Sequence, residues 1–177
     1  VVEADALKLD WRDLKLAPGS LLVSNLPYQI SSSLVIERCL EAAGVARMVL
    51  MFQKEVAQRL RAQAATKEYG LLTVIAQTFW EISGVCEAGP RDFLPPPKLA
   101  SRVLAFKRLE RTDIKAPEKY LSFVKSAFSH RRKLLSSNLS GRGDISAALA
   151  STGLKPTARA EELDPATFVR LYLSLHG

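Results

Sequence analysis

The spacing of apolar residues divides the chain into an alternating first part and a helical second part. Up to about residue 110, strand-like apolar runs alternate with helix-like spacing, which is typical of a layered α/β structure. The predicted strands cover residues 21–24, 45–52, 80–88 and 103–109. Three helices are predicted in this part. The first begins at Ser31 or Ser32 and continues up to Gly44, the second covers residues 54–65 and the third covers residues 71–79.

Turn signals refine the first part. Ser31 or Ser32 is expected to cap the first helix, and Gly44 to end it. The nearly unbroken apolar run 45–52 predicts a strand covered on both faces. The Pro-rich segment 93–97 separates the last two strands, which predicts an antiparallel pair at one edge of the sheet. Residues 1–3 have the pattern of the middle of a strand.

The second part has helical spacing only. One apolar stripe of an amphipathic helix contains Tyr120, Phe123, Val124, Ala127 and Phe128. Asp144 is expected to cap a further helix, and Asp164-Pro165 to begin the last one. The change of pattern near residues 110–116 predicts two domains, 1–112 and 113–177.

Composition narrows the classes of protein. The chain has 177 residues, of which 47% are hydrophobic, so it can bury a core. Its net charge of +7 favours a polyanionic partner, although a solvated basic face has the same composition. Cys39 and Cys86 have neither CxxC spacing nor a nearby His pair, so we predict no zinc site, no disulfide and a cytoplasmic location. No apolar run is long enough to predict a membrane span.

Asn25-Leu26-Pro27-Tyr28 directly follows the first strand, where open α/β sheets bind ligands. These residues suit methylation of an exocyclic amine. The lone pair of such an amine is delocalised, so two acceptors must favour a more tetrahedral nitrogen. The Asn25 side chain and the Leu26 carbonyl can accept, and Pro27 can fix the backbone. Tyr28 can stack on a flipped base. Taken alone, the tetrapeptide also fits an ordinary turn with a packing Tyr.

Further motifs follow in order at residues 2–7, 53–60, 69–72, 93–98, 128–133 and 159–163, and then Phe168. With Asn25–Tyr28, they resemble the KsgA-type ribosomal RNA adenine dimethyltransferases, relatives of the Erm methyltransferases, over essentially the whole chain. The resemblance implies a class I, Rossmann-like methyltransferase sheet followed by a small helical RNA-binding domain. It implies methyl transfer from S-adenosylmethionine, without a metal, to N6 of two adjacent adenosines in a small-subunit rRNA hairpin. A role in ribosome biogenesis follows, with ribosomal RNA in an assembling small subunit as the partner.

The resemblance also implies roles for individual residues. Asp5, with Ala6 beside it, would bind the adenine of the cofactor, and Asn25 would touch both the cofactor and the target amine. Tyr28 and Phe93 would hold the flipped adenine between two rings, although Phe93 also fits a core position.

The basic run Arg131-Arg132-Lys133 is the candidate RNA contact. It lies in a stretch, 111–155, that holds nine Lys or Arg and three Asp or Glu. Such side chains would contact phosphates and give salt-sensitive affinity. The same arginines also suit helix capping or pairing with Glu161 and Glu162.

The sequence departs from the family pattern at one place. The family has a glycine-rich turn and an acidic ribose ligand ahead of the Asp5 segment, and no GxGxG occurs in this sequence. We therefore expect the chain to lack the front of the cofactor site and to be inactive in isolation. We also expect exposed apolar sheet surface and self-association or a partner.

Three other functions fit parts of the sequence. An Erm-type enzyme acting on large-subunit rRNA is the second choice, because the Phe93 loop and the basic helical tail resemble the KsgA branch more closely. A non-catalytic RNA-binding assembly factor could keep the same fold. A DNA adenine methyltransferase fits less well than the other two, because such enzymes tend to carry an acidic or doubled-proline form of the tetrapeptide.

Overall fold

The computed structural model describes residues 1–41, 44–111 and 113–176. The described residues form two compact units, one from Val1–Arg61 and Phe79–Glu110 and one from Ala62–Thr78 and Arg111–Gly177. The second unit therefore includes a helical segment whose place in the sequence is between two strands of the first unit. The predicted assignment of 1–112 to methyl transfer and 113–177 to RNA binding concerns function and stays a prediction.

The first unit contains a four-stranded sheet. Its strands are β1 (Ser20–Asn25), β2 (Val45–Gln53), β3 (Trp80–Ala88) and β4 (Ser101–Arg108), in the order β1-β2-β4-β3. β1 and β2 are parallel, whereas β4 is antiparallel to both β2 and β3. The four predicted strands and the antiparallel pair at one edge are therefore confirmed, and the fold is the expected mixture of helices and sheet.

One face of this sheet is well buried. Met48, Leu50 and Phe52 alternate along β2 and are fully buried. Helices α1 (Ser31–Leu40) and α2 (Lys54–Leu60) belong to the same unit. Leu34 and Val35 of α1 are buried at their helical spacing.

The opposite face of the sheet is open in the described residues. Leu21 and Val23 of β1 are 57% and 65% exposed. In register beside them, Val49 and Ala105 border a depression of about 510 Å³ with Leu21. The prediction that β2 is covered on both faces is therefore wrong, because Arg47 is exposed and Val49 only half-buried. Exposed apolar sheet surface was expected, and self-association through it stays a prediction.

Some predicted element ends are wrong. Ser31 is the first residue of α1, and neither Ser31 nor Ser32 provides a side-chain cap, because the Ser31 hydroxyl donates to the Tyr28 carbonyl at 3.0 Å. α1 ends at Leu40, so Gly44 does not terminate it. Gly44 instead has a φ of +79° in the turn before β2, where a Cβ would lie 2.8 Å from the Leu16 carbonyl oxygen. Ala42 and Ala43, which fall within the predicted helix, lie outside the described residues.

Two further segments are less regular than their patterns suggest. Residues 1–5 form no strand, since an extended segment needs a hydrogen-bonded neighbour and they pair with none of β1–β4. α2 ends at Leu60, five residues before its predicted end, and Ala65 has a φ of +65°, which no helix accommodates.

The second unit is helical. It contains nearly all of α3 (Leu71–Phe79), together with α4 (Pro117–Ala127), α5 (Leu135–Asn138), α6 (Ile145–Ser151) and α7 (Pro165–His176). The predicted α4 stripe is buried from Tyr120 to Ala127, and the half-buried Phe128 stacks on Phe168 with ring centroids 5.6 Å apart. No helix among the described residues is long and apolar enough to cross a bilayer.

Both predicted aspartate caps in this unit are confirmed. The Asp144 carboxylate accepts from the Ala147 backbone N–H at 2.9 Å. The Asp164 carboxylate accepts from the Thr167 N–H at 2.7 Å, and this hydrogen bond lowers the pKa of Asp164. A charge at the N-terminus of α7 therefore stabilises the helix.

Replacement of Asp164 tests this cap. We expect Asp164→Ala to lower the free energy of unfolding by about 1 kcal/mol at pH 7, measured by urea titration. Because the folded-state pKa is lowered, the stabilisation is present above the unfolded value of about 3.9 and is lost as pH falls through the lower folded value. The wild type and Asp164→Ala should therefore converge at acidic pH. Glu68→Ala, which removes an exposed carboxylate from the loop before α3, is the control.

Candidate active site

The last residue of β1, Asn25, stands at the carboxyl edge of the parallel pair, beside Met51 of β2. This edge is where ligands bind in open α/β sheets. Asn25 is exposed, and its side chain makes no hydrogen bond with any residue in 1–41, 44–111 or 113–176. Its amide is therefore oriented by no protein partner and can act on a ligand.

The turn after Asn25 is fixed by a buried side chain and by a backbone hydrogen bond. Leu26 is 5% exposed, so its side chain belongs to the core. The Pro27 carbonyl accepts from the Ile30 N–H at 3.2 Å, which leads the chain into α1. The polar backbone between a buried Leu and a fixed Pro is thus presented at the surface.

Tyr28 is held at both ends. Its backbone carbonyl accepts from the Ser31 hydroxyl, and its phenolic oxygen lies 3.3 Å from the Ser101 hydroxyl oxygen. The residue is 39% exposed, so one side of the ring remains accessible. Tyr28 is thus attached to the sheet while still offering a surface to a ligand.

Phe93 is presented by a structured loop. A single 3₁₀ turn, Pro90–Asp92, precedes it, and the Asp92 carboxylate accepts from the Gly89 N–H at 2.7 Å. Phe93 is half-buried with an extended backbone. Phe93 therefore does not fill a core position, which the sequence had left open as the alternative to stacking on a base.

A cavity of about 420 Å³ joins these two segments, a volume typical of small-ligand sites. It is lined by the predicted residues Asn25, Leu26, Pro27, Tyr28 and Phe93, and by Leu94, Pro95 and Pro97. Leu94, Pro95 and Pro97 belong to the family motif at residues 93–98, and no role was predicted for them. Leu94 is 98% exposed, which makes it an apolar side chain available to a partner at the cavity mouth.

Asp5 and Ala6 do not line this cavity. One Asp5 carboxylate oxygen accepts from the Leu7 N–H at 3.0 Å, and the Ala6 carbonyl accepts from the Trp11 indole at 3.2 Å. The Trp11 ring packs on the Arg38 guanidinium at 4.3 Å, and burial lowers the pKa of Arg38. Asp5 is exposed, and its carboxylate has the acceptor chemistry that an adenine amine requires.

The basic run divides into two kinds of residue. Arg131 donates from Nε to the Glu161 carboxylate at 2.7 Å and from Nη2 to the Lys67 carbonyl at 3.0 Å. Its predicted alternative, pairing with Glu161, is therefore observed. Arg132 and Lys133 are exposed, and their side chains have no partner among the residues that the structure describes. The run lies in the second unit and the cavity in the first.

The described residues do not bring metal-binding side chains together. Within 1–41, 44–111 and 113–176, no group of three or more His, Cys, Asp or Glu side chains could hold a metal ion. Cys39 and Cys86 are both free thiols, and burial raises the pKa of Cys39 to about 12.

Comparison with known families decides the classification. Residues 1–176 match the sequence profile of the family described as ribosomal RNA adenine dimethylase. The chain belongs to this family. Among curated relatives, ribosomal RNA small subunit methyltransferase A of Bdellovibrio bacteriovorus is 56% identical over 97% of the chain. The protein of the same name from Syntrophotalea carbinolica is 40% identical over 94% of the chain. The chain spans 65% and 66% of the lengths of these two relatives.

Solved structures support the dimethylase fold. A dimethyladenosine transferase from Plasmodium falciparum aligns with 99% of this chain and 72% of its own, with a TM-score of 0.78 and 23% identity. The 23S rRNA methyltransferase ErmE aligns with 100% of this chain and 72% of its own, with a TM-score of 0.66 and 26% identity. The predicted Rossmann-like fold class is therefore confirmed.

The two arginines of the basic run should differ in their effect on stability. Arg131→Ala removes a charge-assisted pair and a carbonyl contact, so we expect it to lower the free energy of unfolding by about 1 kcal/mol. Arg132→Ala should change it by less than about 0.5 kcal/mol. Urea titration of both variants tests this. Equal losses would contradict the assignment of Arg131 to a structural contact.

Proposed function

We propose that the natural gene product transfers methyl groups from S-adenosylmethionine to N6 of two adjacent adenosines in a small-subunit rRNA hairpin. The observation that carries this proposal is the cavity that brings the Asn25–Tyr28 turn and Phe93 together. The names of the small-subunit relatives support the choice of RNA. We further propose that the protein acts in the cytoplasm on an assembling small ribosomal subunit.

The cavity suits a purine that has left its helix. Tyr28 and Phe93 line it and offer aromatic faces, and base stacking on aromatic rings contributes about 1–3 kcal/mol per base. Stacking alone does not select adenine. Selection would come from hydrogen bonds to the edge of the base, which Asn25 and the exposed turn backbone can accept or donate.

The chemistry at N6 follows from the two acceptors. The Asn25 side-chain oxygen and the Leu26 carbonyl would each accept a hydrogen bond from one N6–H, which favours a tetrahedral nitrogen with its lone pair free. S-adenosylmethionine, when bound, supplies an electrophilic methyl group, and Asp5, Ala6 and Asn25 are the residues we assign to holding it. The methyl group would pass from the sulfonium sulfur to N6, and N6 would then lose one proton to water. No side-chain general base is required.

RNA orientation would come from the second unit. The exposed cations of Arg132 and Lys133 are suited to phosphate contacts. Arg131, paired with Glu161, would serve the local structure beside them. This division assigns RNA affinity to two residues of the basic run and stability to the third.

The target RNA distinguishes the leading function from its alternatives. We expect the purified gene product, first checked by intact mass, to bind S-adenosylmethionine by calorimetry and to label small-subunit RNA with tritiated methyl groups. The similarity to ErmE supports large-subunit RNA as the second candidate. Labelling of large-subunit RNA alone would favour that candidate. Absence of both binding and labelling would favour a non-catalytic assembly factor.

Asn25→Ala tests the proposed catalytic role. In the natural gene product, we expect kcat to fall by about 100-fold or more, the effect typical of removing one transition-state hydrogen bond. RNA affinity should be nearly unchanged, because phosphate contacts dominate it. Gln29→Ala is the matched control, since it removes an exposed amide that does not line the cavity. Activity of Asn25→Ala equal to that of Gln29→Ala would remove Asn25 from the mechanism.

A further inference from the structure

A buried serine far along the chain touches the exposed aromatic ring of the candidate site. Ser101 is 0% exposed, and its hydroxyl oxygen lies 3.3 Å from the phenolic oxygen of Tyr28. Ser31, which is also buried, donates to the Tyr28 backbone carbonyl at 3.0 Å. Two buried hydroxyl groups thus hold the two ends of one partly exposed residue.

The position of Ser101 is set by the sheet. It is the first residue of β4 and lies opposite Gln53 of β2 and Ala88 of β3. The preceding carbonyl, of Ala100, accepts from the Lys54 N–H at 2.9 Å. Since strands on both sides fix its backbone, the Ser101 hydroxyl is a stationary point against which a mobile side chain can be oriented.

The hydrogen bond also satisfies Ser101. A buried hydroxyl without a partner is costly, and the only side-chain partner of Ser101 in the described part of the chain is Tyr28. Tyr28, in contrast, is 39% exposed, so fewer protein contacts surround it. The contact therefore restrains the ring more than it restrains the serine.

We propose that Ser101 is a positioning residue that holds the Tyr28 ring in the orientation needed to stack on the target base. The inference rests on the proposed function, because only an aromatic face used for stacking needs a fixed plane. Phe93 has no hydroxyl with which to make an equivalent bond. Tyr28 is then the fixed wall of the cavity, and ordering it before RNA arrives reduces the entropy lost on binding.

A double-mutant cycle in the natural gene product tests this role. Ser101→Ala and Tyr28→Phe each remove the same hydrogen bond, so we expect each to lower kcat/KM by about fivefold. The double variant should show the same fivefold loss, whereas independent effects would multiply to about 25-fold. RNA carrying 2-aminopurine at the target position gives a second measurement. Its emission in the complex should differ between wild type and both single variants.

The second unit provides a matched control. Thr78→Val removes a buried hydroxyl that lies 3.0 Å from the Tyr120 hydroxyl, so it imitates the change in hydrogen bonding away from the cavity. We expect it to lower the melting temperature while leaving 2-aminopurine emission unchanged. If Ser101→Ala does not fold, Tyr28→Phe carries the test, because its ring is partly exposed and it deletes the same bond.

The outcomes separate the two claims. Multiplicative losses in the cycle, full activity of Tyr28→Phe, or a Ser101→Ala effect no larger than that of Thr78→Val would each overturn the positioning role while leaving the enzyme intact. A wild-type gene product that methylates neither ribosomal RNA would overturn the proposed function itself, and the need for a fixed Tyr28 ring with it.

Discussion

The parallel pairing of β1 with β2 is the constraint on which the candidate site depends. It places Asn25 at the carboxyl edge beside Met51, and the antiparallel addition of β4 brings Ser101 opposite Gln53 at the same edge. Leu26 then fixes the turn by burying its side chain. A shift of register by one residue would turn Asn25 toward the opposite face and separate Tyr28 from Ser101.

The two serines beside Tyr28 show how a core can orient an exposed residue. Ser31 begins α1 and bonds backward to the Tyr28 carbonyl instead of capping its own helix. Ser101 bonds the phenolic group. Two hydroxyl groups that would be costly to bury alone are satisfied by the backbone carbonyl and the side chain of one residue that lines the cavity, so the stability of the sheet edge and the geometry of the proposed site are coupled.

The basic run shows that a cluster of cations in the sequence does not reveal which of them is paired within the fold. Three consecutive cations were predicted to contact RNA, and the structure gives one of them a carboxylate and a carbonyl partner. The sequence offered Glu161 only as an alternative partner, because it lies thirty residues further along the chain and no local pattern selects which arginine it pairs with. Exposed neighbours such as Arg132 keep the charge available, whereas Arg131 uses much of it within the unit.

The sequence by itself determined the strands, most helices, the aspartate caps and the tetrapeptide, because these depend on period, local hydrogen bonding and residue chemistry. It grouped Phe93 with Tyr28 only through a family resemblance, and the two residues line one cavity. Tertiary structure alone decided the full sheet order, which residues lie on the open face, and the contact of Ser101 with Tyr28, 73 residues apart. Strand pairing joins residues that no local period relates, so these features required the folded chain.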